Sequence, residues 1–454
     1  MPHDPEAAAP RPALPMRLTR LRVKNFRSIA DIDIPLSPLT VLVGPNGSGK
    51  SNVVDALRFV RDVFARGLDQ AVMDREGMGV IQRWGTEGIE IGFTIYFSEK
   101  YSIQRTEEEQ DKENSGASGT VNYDFAFRES AEKNILVSKE KLLINIQEQG
   151  FPQIQLLRIN EKLTGKLGEQ AFDRLENRKH PYKKLSQGQL LSPLVLFNLS
   201  SEIFGLPKGE YEEWSDEEKE TDYRYFQAFA KVNDINLLFE GAGFYSLIPS
   251  DLRTGQQILK TTPFDEKGRN LAAVLRHISH SERAGWSGLL FALQRVIAGF
   301  TTLEVEPVGG YLATKLIYQT DTTQPRTSYI GQESDGTIRM LGILAALYQD
   351  PAQPFLSIEE PEANIHPGAL AVLASVLDEA SLRSQILVTT HSPDMLDHLP
   401  AESFLVVEKV GDTTHVGPLD ASQLASVRKR LFTPGELLRM EGLQRQIDPE
   451  KAAS

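Results

Sequence analysis

The segment from Thr40 to Arg58, TVLVGPNGSGKSNVVDALR, sets a β-branched apolar run directly before a glycine-rich loop and a helix-forming run. The loop fits GxxxxGK[ST] at Gly44, Gly49, Lys50 and Ser51. Backbone N–H groups at a helix N-terminus can surround a triphosphate only where no side chain obstructs their approach, and glycine supplies that access. The expected phosphate ligands are therefore the loop residues Gly44, Pro45, Asn46, Gly47, Ser48, Gly49, Lys50, Ser51 and Asn52. Lys50 adds a mobile point charge for the β and γ phosphates, and the Ser51 hydroxyl suits Mg2+, a hard cation that prefers oxygen. This is the chemistry of nucleotide binding, and the loop alone does not choose between kinase, GTPase and ATPase.

Three later segments narrow the choice. PFLSIEEP, Pro354 to Pro361, is a short apolar run ending in two carboxylates. At the end of a strand, Glu359 would hold Mg2+, directly or through water, and Glu360 would polarise an attacking water. ILVTTHSP, Ile386 to Pro393, is a second buried-type strand and ends in His391, placed to hydrogen-bond a γ phosphate. ESDGTIRMLGILAAL, Glu333 to Leu347, puts Ser334, Asp335 and Gly336 just before a helix with apolar Ile338, Leu341, Ile343, Leu344 and Leu347. Such a helix start is a second anion site. Asp335 is out of place there, since a carboxylate beside a triphosphate repels it unless it caps the helix instead.

The order of glycine loop, serine-glycine signature, Glu-Glu strand and histidine strand resembles the ABC-type ATPase heads of RecF, SMC and the OLD-like ATPases. The likeness covers about residues 16–97 and 265–410, and MRLTRLRVKNFRSI, Met16 to Ile29, looks like the first strand of those heads. Transporter subunits are less similar, because they carry Leu-Ser-Gly-Gly-Gln and an Asp-Glu pair. No Asn-Lys-x-Asp segment is present to select guanine.

The resemblance implies an α/β fold, an ABC-type P-loop head with a mixed sheet, helices and an antiparallel β subdomain, carrying an inserted α+β or helical subdomain. It implies ATP and Mg2+ as ligands and a dimer in which each nucleotide lies between the loop of one protomer and the Ser334 and Gly336 signature of another. Arg339 fits the arginine that follows the signature, and Asn25, Arg27 and Ser28 sit where relatives line base and phosphates. Relatives sense Mg2+ with a glutamine. Gln82, Gln187 and Gln189 are candidates, the latter two favoured, and Gln189 is carried as a metal-site residue. The implied role is an ATP-hydrolysing switch in DNA repair or anti-phage defence, with a separate effector such as a nuclease, and with DNA and higher oligomers as further implied partners. The alternative is a nucleotide-gated scaffold with little turnover.

The elements that must position these residues divide the chain. MPHDPEAAAPRPALP, residues 1–15, lacks both a basic start and an apolar core and reads as a disordered leader. The N-terminal lobe is expected over 16–97 and the C-terminal lobe over 265–430, with 431–454 a charged helical tail. Between the lobes, 98–264 reads as an insertion, with strand-like runs at Ile91–Phe97, Tyr123–Phe127 and Leu142–Ile146 and a charged helical stretch at Glu212–Lys231. No heptad repeat persists, so the long coiled-coil arm of SMC proteins is not expected. FYSLIPSDLR, Phe244 to Arg253, and DEKGRNLAAVLRH, Asp265 to His277, resemble segments that such ATPases carry between lobes, with Asn270 and Arg276 facing the nucleotide lobe as a remote possibility. About 60 residues follow His391, too few for the TOPRIM nuclease domain of OLD proteins.

Composition sets outer limits. The 454 residues are 40% hydrophobic and 24% charged, ordinary for a soluble protein and enough for two compact domains. No cysteine is present, so disulfides and thiolate metal sites are excluded. No apolar stretch approaches the ~20 residues of a membrane span, and a cytoplasmic location is expected. The formal net charge of −13, from 49 basic and 62 acidic residues, disfavours DNA binding by the whole surface. Local basic runs remain: Arg17, Arg20, Arg22, Lys24 and Arg27; Arg178 to Lys184; and Arg428 to Arg430. Each reads more simply as a solvated face with snorkelling stems.

Overall fold

The computed structural model describes residues 16–86, 89–100, 118–146, 154–159, 162–167, 170–172, 234–257, 263–281, 285–319 and 324–447. Along the chain the first elements are β1 (Arg17–Phe26), β2 (Ile29–Pro35), β3 (Leu39–Val43), α1 (Lys50–Arg66), α2 (Leu68–Met73) and α3 (Met78–Ile81). An antiparallel series follows: β4 (Ile91–Lys100), β5 (Ser118–Glu129), β6 (Ile135–Ile146), β7 (Ile154–Ile159), β8 (Lys162–Leu167) and β9 (Gln170–Phe172). Then come β10 (Gly243–Tyr245), α4 (Pro249–Leu252), β11 (Gln256–Gln257), α5 (Leu271–His280), α6 (Gly285–Val296), β12 (Phe300–Val308), β13 (Tyr311–Tyr318) and β14 (Arg326–Tyr329). The last part holds α7 (Asp335–Tyr348), β15 (Phe355–Glu359), α8 (Leu370–Ser381), β16 (Gln385–Thr390), α9 (Pro393–Leu396), β17 (Phe404–Val410), β18 (Thr413–Pro418), α10 (Ala421–Arg428) and α11 (Pro434–Met440).

Fourteen of the described strands form one sheet, in the order β10-β15-β16-β3-β17-β18-β2-β1-β4-β5-β6-β7-β8-β9. Strands β10, β15, β16, β3 and β17 run parallel, and from β2 outward the pairing is antiparallel, so this is an α/β head with a mixed sheet. Parallel strands need both faces covered, and the side chains divide accordingly. In β3, Leu42 joins the core beneath α1, whereas Leu39, Val41 and Val43 join the core built with α7 and α8. On α1 the buried positions Val53, Ala56, Leu57 and Val60 recur at helical spacing. Helix α7 is buried on all sides from Ile338 to Tyr348, which places it inside the second core.

All three expected strand runs, Ile91–Phe97, Tyr123–Phe127 and Leu142–Ile146, lie in β4, β5 and β6 and extend this same sheet. Phe125 and Phe127 of β5 stack on Phe93 and Phe59 of the lobe, so the antiparallel extension shares the lobe's core. Residues Gly243–Tyr245, placed by sequence in the insertion, pair with the acidic strand β15 at the sheet edge. The stretch Glu212–Lys231, the basic run Arg178–Lys184 and both favoured glutamines, Gln187 and Gln189, lie outside the described residues.

Candidate nucleotide site

Register brings the chemistry together. Strand β16 lies between β3 and β15, with Thr390 level with Val43 and Thr389 level with Glu359. Three parallel strands therefore end side by side, and the residues just beyond them, Gly44, Glu360 and His391, emerge at the carboxyl edge where α/β sheets bind ligands.

Two of the loop's glycines, Gly44 and Gly49, are fixed by close neighbours. Gly49 has φ +106, and a Cβ there would overlap Thr414 of β18. As the N-cap of α1, Gly49 makes no side-chain cap, which leaves the first N–H groups of a 17-residue helix to a ligand. Thr414 in turn donates to the Ser48 carbonyl at 3.1 Å and lies 2.6 Å from the Ser28 hydroxyl, to which Asn52 donates at 2.5 Å. Ser28 and Asn52 thus brace the loop from behind.

The cleft before the loop has a volume of about 500 Å3, and its lining includes Asn46, Lys50, Ser51, Glu359, Glu360 and Arg339. Lys50 is buried, donates to the carbonyls of Gly44 at 2.7 Å and Pro45 at 3.1 Å, and is held below its ordinary pKa by that burial. Ser51 donates to Glu359 at 3.4 Å, and burial raises the Glu359 carboxyl above the usual range despite Arg58 at 3.8 Å. The Ser48 hydroxyl is buried with no protein partner. Serine and carboxylate oxygens side by side fit Mg2+, which is ordinarily held by one or two protein oxygens together with phosphates and water.

Glu360 adopts a left-handed φ of +46, held by hydrogen bonds from its N–H to the carbonyl and hydroxyl of Thr389. Its carboxylate stands 3.1 Å from His391 Nδ1. Arg339 reaches up from α7 into the cleft wall and donates to the carbonyls of Glu359 at 3.1 Å, Glu360 at 2.6 Å and Leu247. The backbone of both acids is therefore gripped by the helix that begins at the signature.

A family model described as "AAA domain, putative AbiEii toxin, Type IV TA system" matches residues 39–397, more than three quarters of the chain. The chain belongs to the AAA_21 family. The OLD nuclease of Thermus scotoductus is 58% identical over 43 residues, 10% of this chain and 8% of that protein. The DNA replication and repair protein RecF of Brucella abortus is 39% identical over 80 residues, 17% of this chain and 18% of that protein. The chain thus spans less than a fifth of the length of these curated relatives. A solved Smc head bound to the C-winged helix domain of ScpA aligns with a TM-score of 0.44 at 14% identity, over 89% of this chain and 99% of that one. The resemblance to RecF, SMC and OLD heads is borne out by the family match and these relatives.

Within the AAA_21 chain, Lys50, Ser51, Asn46, Gly47, Gly49, Asn52, Glu359 and Glu360 line one cleft. His391, Gly44 and Pro45 line an adjoining apolar cavity with Val407 and Leu438. Ser334 is exposed, its hydroxyl accepting from the Thr337 N–H at 3.1 Å as the N-cap of α7, and it is not part of the cleft of its own protomer. Gly336 is packed so closely on the loop after the acids that a Cβ would overlap the Asn364 carbonyl. Asn25 and Arg27 are both left-handed, with φ +55 and +50. Their side chains bind protein: Asn25 donates to the Glu90 carbonyl at 2.9 Å and Arg27 pairs with Asp55 at 2.8 Å.

Gln82, the basic residues from Arg17 to Arg27, Arg428 and Asn270 all find their partners within the protein. Gln82 does not reach the cleft, because its amide is consumed by the carbonyls of Thr86 and Ile89. The cleft wall beside β15 is instead Ser246, Leu247 and Ile248, which follow β10 and include no glutamine. The run Arg17 to Arg27 is no free basic patch: Arg20 pairs with Asp33, Arg22 and Lys24 with Asp31, Arg27 with Asp55, and Arg17 donates to the Leu382 carbonyl. Arg428 likewise pairs with Glu402 at 2.9 Å. Asn270 accepts from the Asp265 N–H at 2.7 Å and donates to the Pro263 carbonyl, a loop brace rather than a nucleotide contact. No described helix is long and apolar enough to cross a membrane.

Proposed function

We propose that this protein is an ATP-driven dimeric switch in which two copies clasp Mg-ATP at a shared seam. The observation that carries the reading is a division of labour within one chain. Lys50, Ser51, Glu359 and Glu360 share a cleft, while Ser334, the second anion-binding start, is exposed outside it. A second copy is the natural donor of the missing half.

In this reading Lys50 leaves the Gly44 and Pro45 carbonyls for the β and γ phosphates, and Ser51 and Glu359 would hold Mg2+. The metal would neutralise phosphate charge during transfer. Glu360 takes the proton of the attacking water, and His391, 3.1 Å away, orients Glu360 and the γ phosphate. Closure on ATP and opening on hydrolysis would be read by a separate effector such as a nuclease, or by DNA, and larger assemblies are compatible. Repair or phage defence is the setting suggested by relatives named as a RecF repair protein and an OLD nuclease, and by the toxin–antitoxin wording of the family description. Replacing Glu360 with Gln should slow hydrolysis by about 100- to 10,000-fold and trap an ATP-dependent dimer. Near-normal phosphate release by that variant would refute the assignment.

A further inference from the structure

The structure resolves the misplaced charge of Asp335. Its carboxylate is 56% exposed and adjoins Ser334 at the start of α7. Arg253 covers it, with Nη2 at 2.7 Å from Asp335 Oδ1 and 2.8 Å from the Glu333 carbonyl. A pair this exposed contributes little to folding stability, so its value must lie elsewhere.

Arg253 directly follows α4, and α4 directly follows Ser246, Leu247 and Ile248, the cleft wall. At the near end of this segment Arg339 of α7 holds the Leu247 carbonyl, and at the far end Arg253 holds Asp335 and Glu333 at the start of the same helix. The wall of the nucleotide cleft and the signature are thus bolted together twice, and one bolt is the charge that cancels the signature's carboxylate.

We propose that Arg253 is a positioning residue that neutralises Asp335, so that the start of α7 can accept the triphosphate held by a second copy. This rests on the sandwich reading above. The substrate class is a nucleoside triphosphate presented in trans, and like charges facing each other across the seam are what Arg253 prevents.

The test uses the full chain carrying Glu360→Gln, with self-association measured by sedimentation in MgATP and binding of a fluorescent ATP analogue to the protomer's own cleft as a check on folding. Adding Arg253→Ala should raise the concentration for half-association about tenfold or more, most at low salt, with analogue binding retained. Adding Asp335→Asn to that variant should restore association to within about threefold, because the charge that needed cancelling is gone. Arg253→Ala associating like its parent would overturn the proposal, and so would a loss that Asp335→Asn does not relieve, which would mark Arg253 as a mere brace for Glu333. A parent that stays monomeric in MgATP overturns the sandwich reading itself, an outcome distinct from either.

Discussion

Arg339→Met offers a quantitative test of how the acids are aimed. Glu360 sits at φ +46, a left-handed conformation that costs a non-glycine residue about 1–2 kcal/mol. Arg339 offsets that cost by donating to the Glu360 carbonyl at 2.6 Å and the Glu359 carbonyl at 3.1 Å. A hydrogen bond from a charged group contributes roughly 1.5–3 kcal/mol, so removing the guanidinium tips the balance against the strained conformer by about 2 kcal/mol. Hydrolysis should then fall about 30-fold. Global stability should change far less, within about 1 kcal/mol, because Met retains the stem packing and a buried guanidinium without a carboxylate partner is itself costly. Single-turnover hydrolysis and urea unfolding read the two quantities separately. In a Glu360→Gln background the Arg339→Met change should have almost no further effect on hydrolysis, since both act on one group. Activity within threefold of the parent, or full additivity in the double variant, would refute the reasoning.

Two further outcomes concern stability. Asp62 is buried on α1 beneath three arginines, Arg61 at 2.8 Å, Arg66 at 2.9 Å and Arg75 at 2.9 Å. Asp62→Ala should cost about 1–3 kcal/mol in urea unfolding at pH 7, since Arg75 and Arg61 each lose a charged acceptor while keeping Asp55 and Glu266. Burial alone would raise the Asp62 carboxyl, but Arg61 and Arg75 outweigh it and hold it below its ordinary value. Its stabilisation is therefore complete above about pH 4 and lost as pH falls through the lower folded-state value, an acid limb that Asp62→Asn should flatten. Gly336→Ala should destabilise the nucleotide-free protein by about 1–3 kcal/mol through overlap with the Asn364 carbonyl. An unchanged melting temperature would mean that this glycine serves only the ligand.

The local parts of the site were legible because each is a short string with its own physics. The glycine loop needs no partner to announce itself, and Glu359, Glu360 and His391 close apolar runs that could only be strands. What joins them is long-range pairing, with β16 seated between β3 and β15, which no local spacing announces. The segment Phe244 to Arg253 stood out by resemblance, but nothing in Ser246, Leu247 and Ile248 marks a cleft wall until β10 pairs with β15. The reason for Gly49 lies in Thr414, distant in sequence and brought near only by β18. The basic run Arg20, Arg22 and Lys24 was legible in principle. Folding β1 back on β2 about the Asn25–Ser28 corner sets Asp31 and Asp33 opposite it, so alternation on both strands announces the cancellation. Of the three glutamines, only Gln82 lies among the described residues, and its amide binds the carbonyls of Thr86 and Ile89 rather than facing the cleft.

Complementation between two inactive variants tests the shared seam most directly. Lys50→Ala removes the cation of a protomer's own loop, and Ser334→Arg blocks its signature, so each homodimer has no complete site. Mixed in equal amounts, the two give heterodimers in which the intact Lys50 of one faces the intact Ser334 of the other, and ATP hydrolysis should reappear at roughly a quarter of the parent rate, half the dimers each carrying one site of two. A mixture as inactive as its components, from proteins that bind each other, would contradict the account.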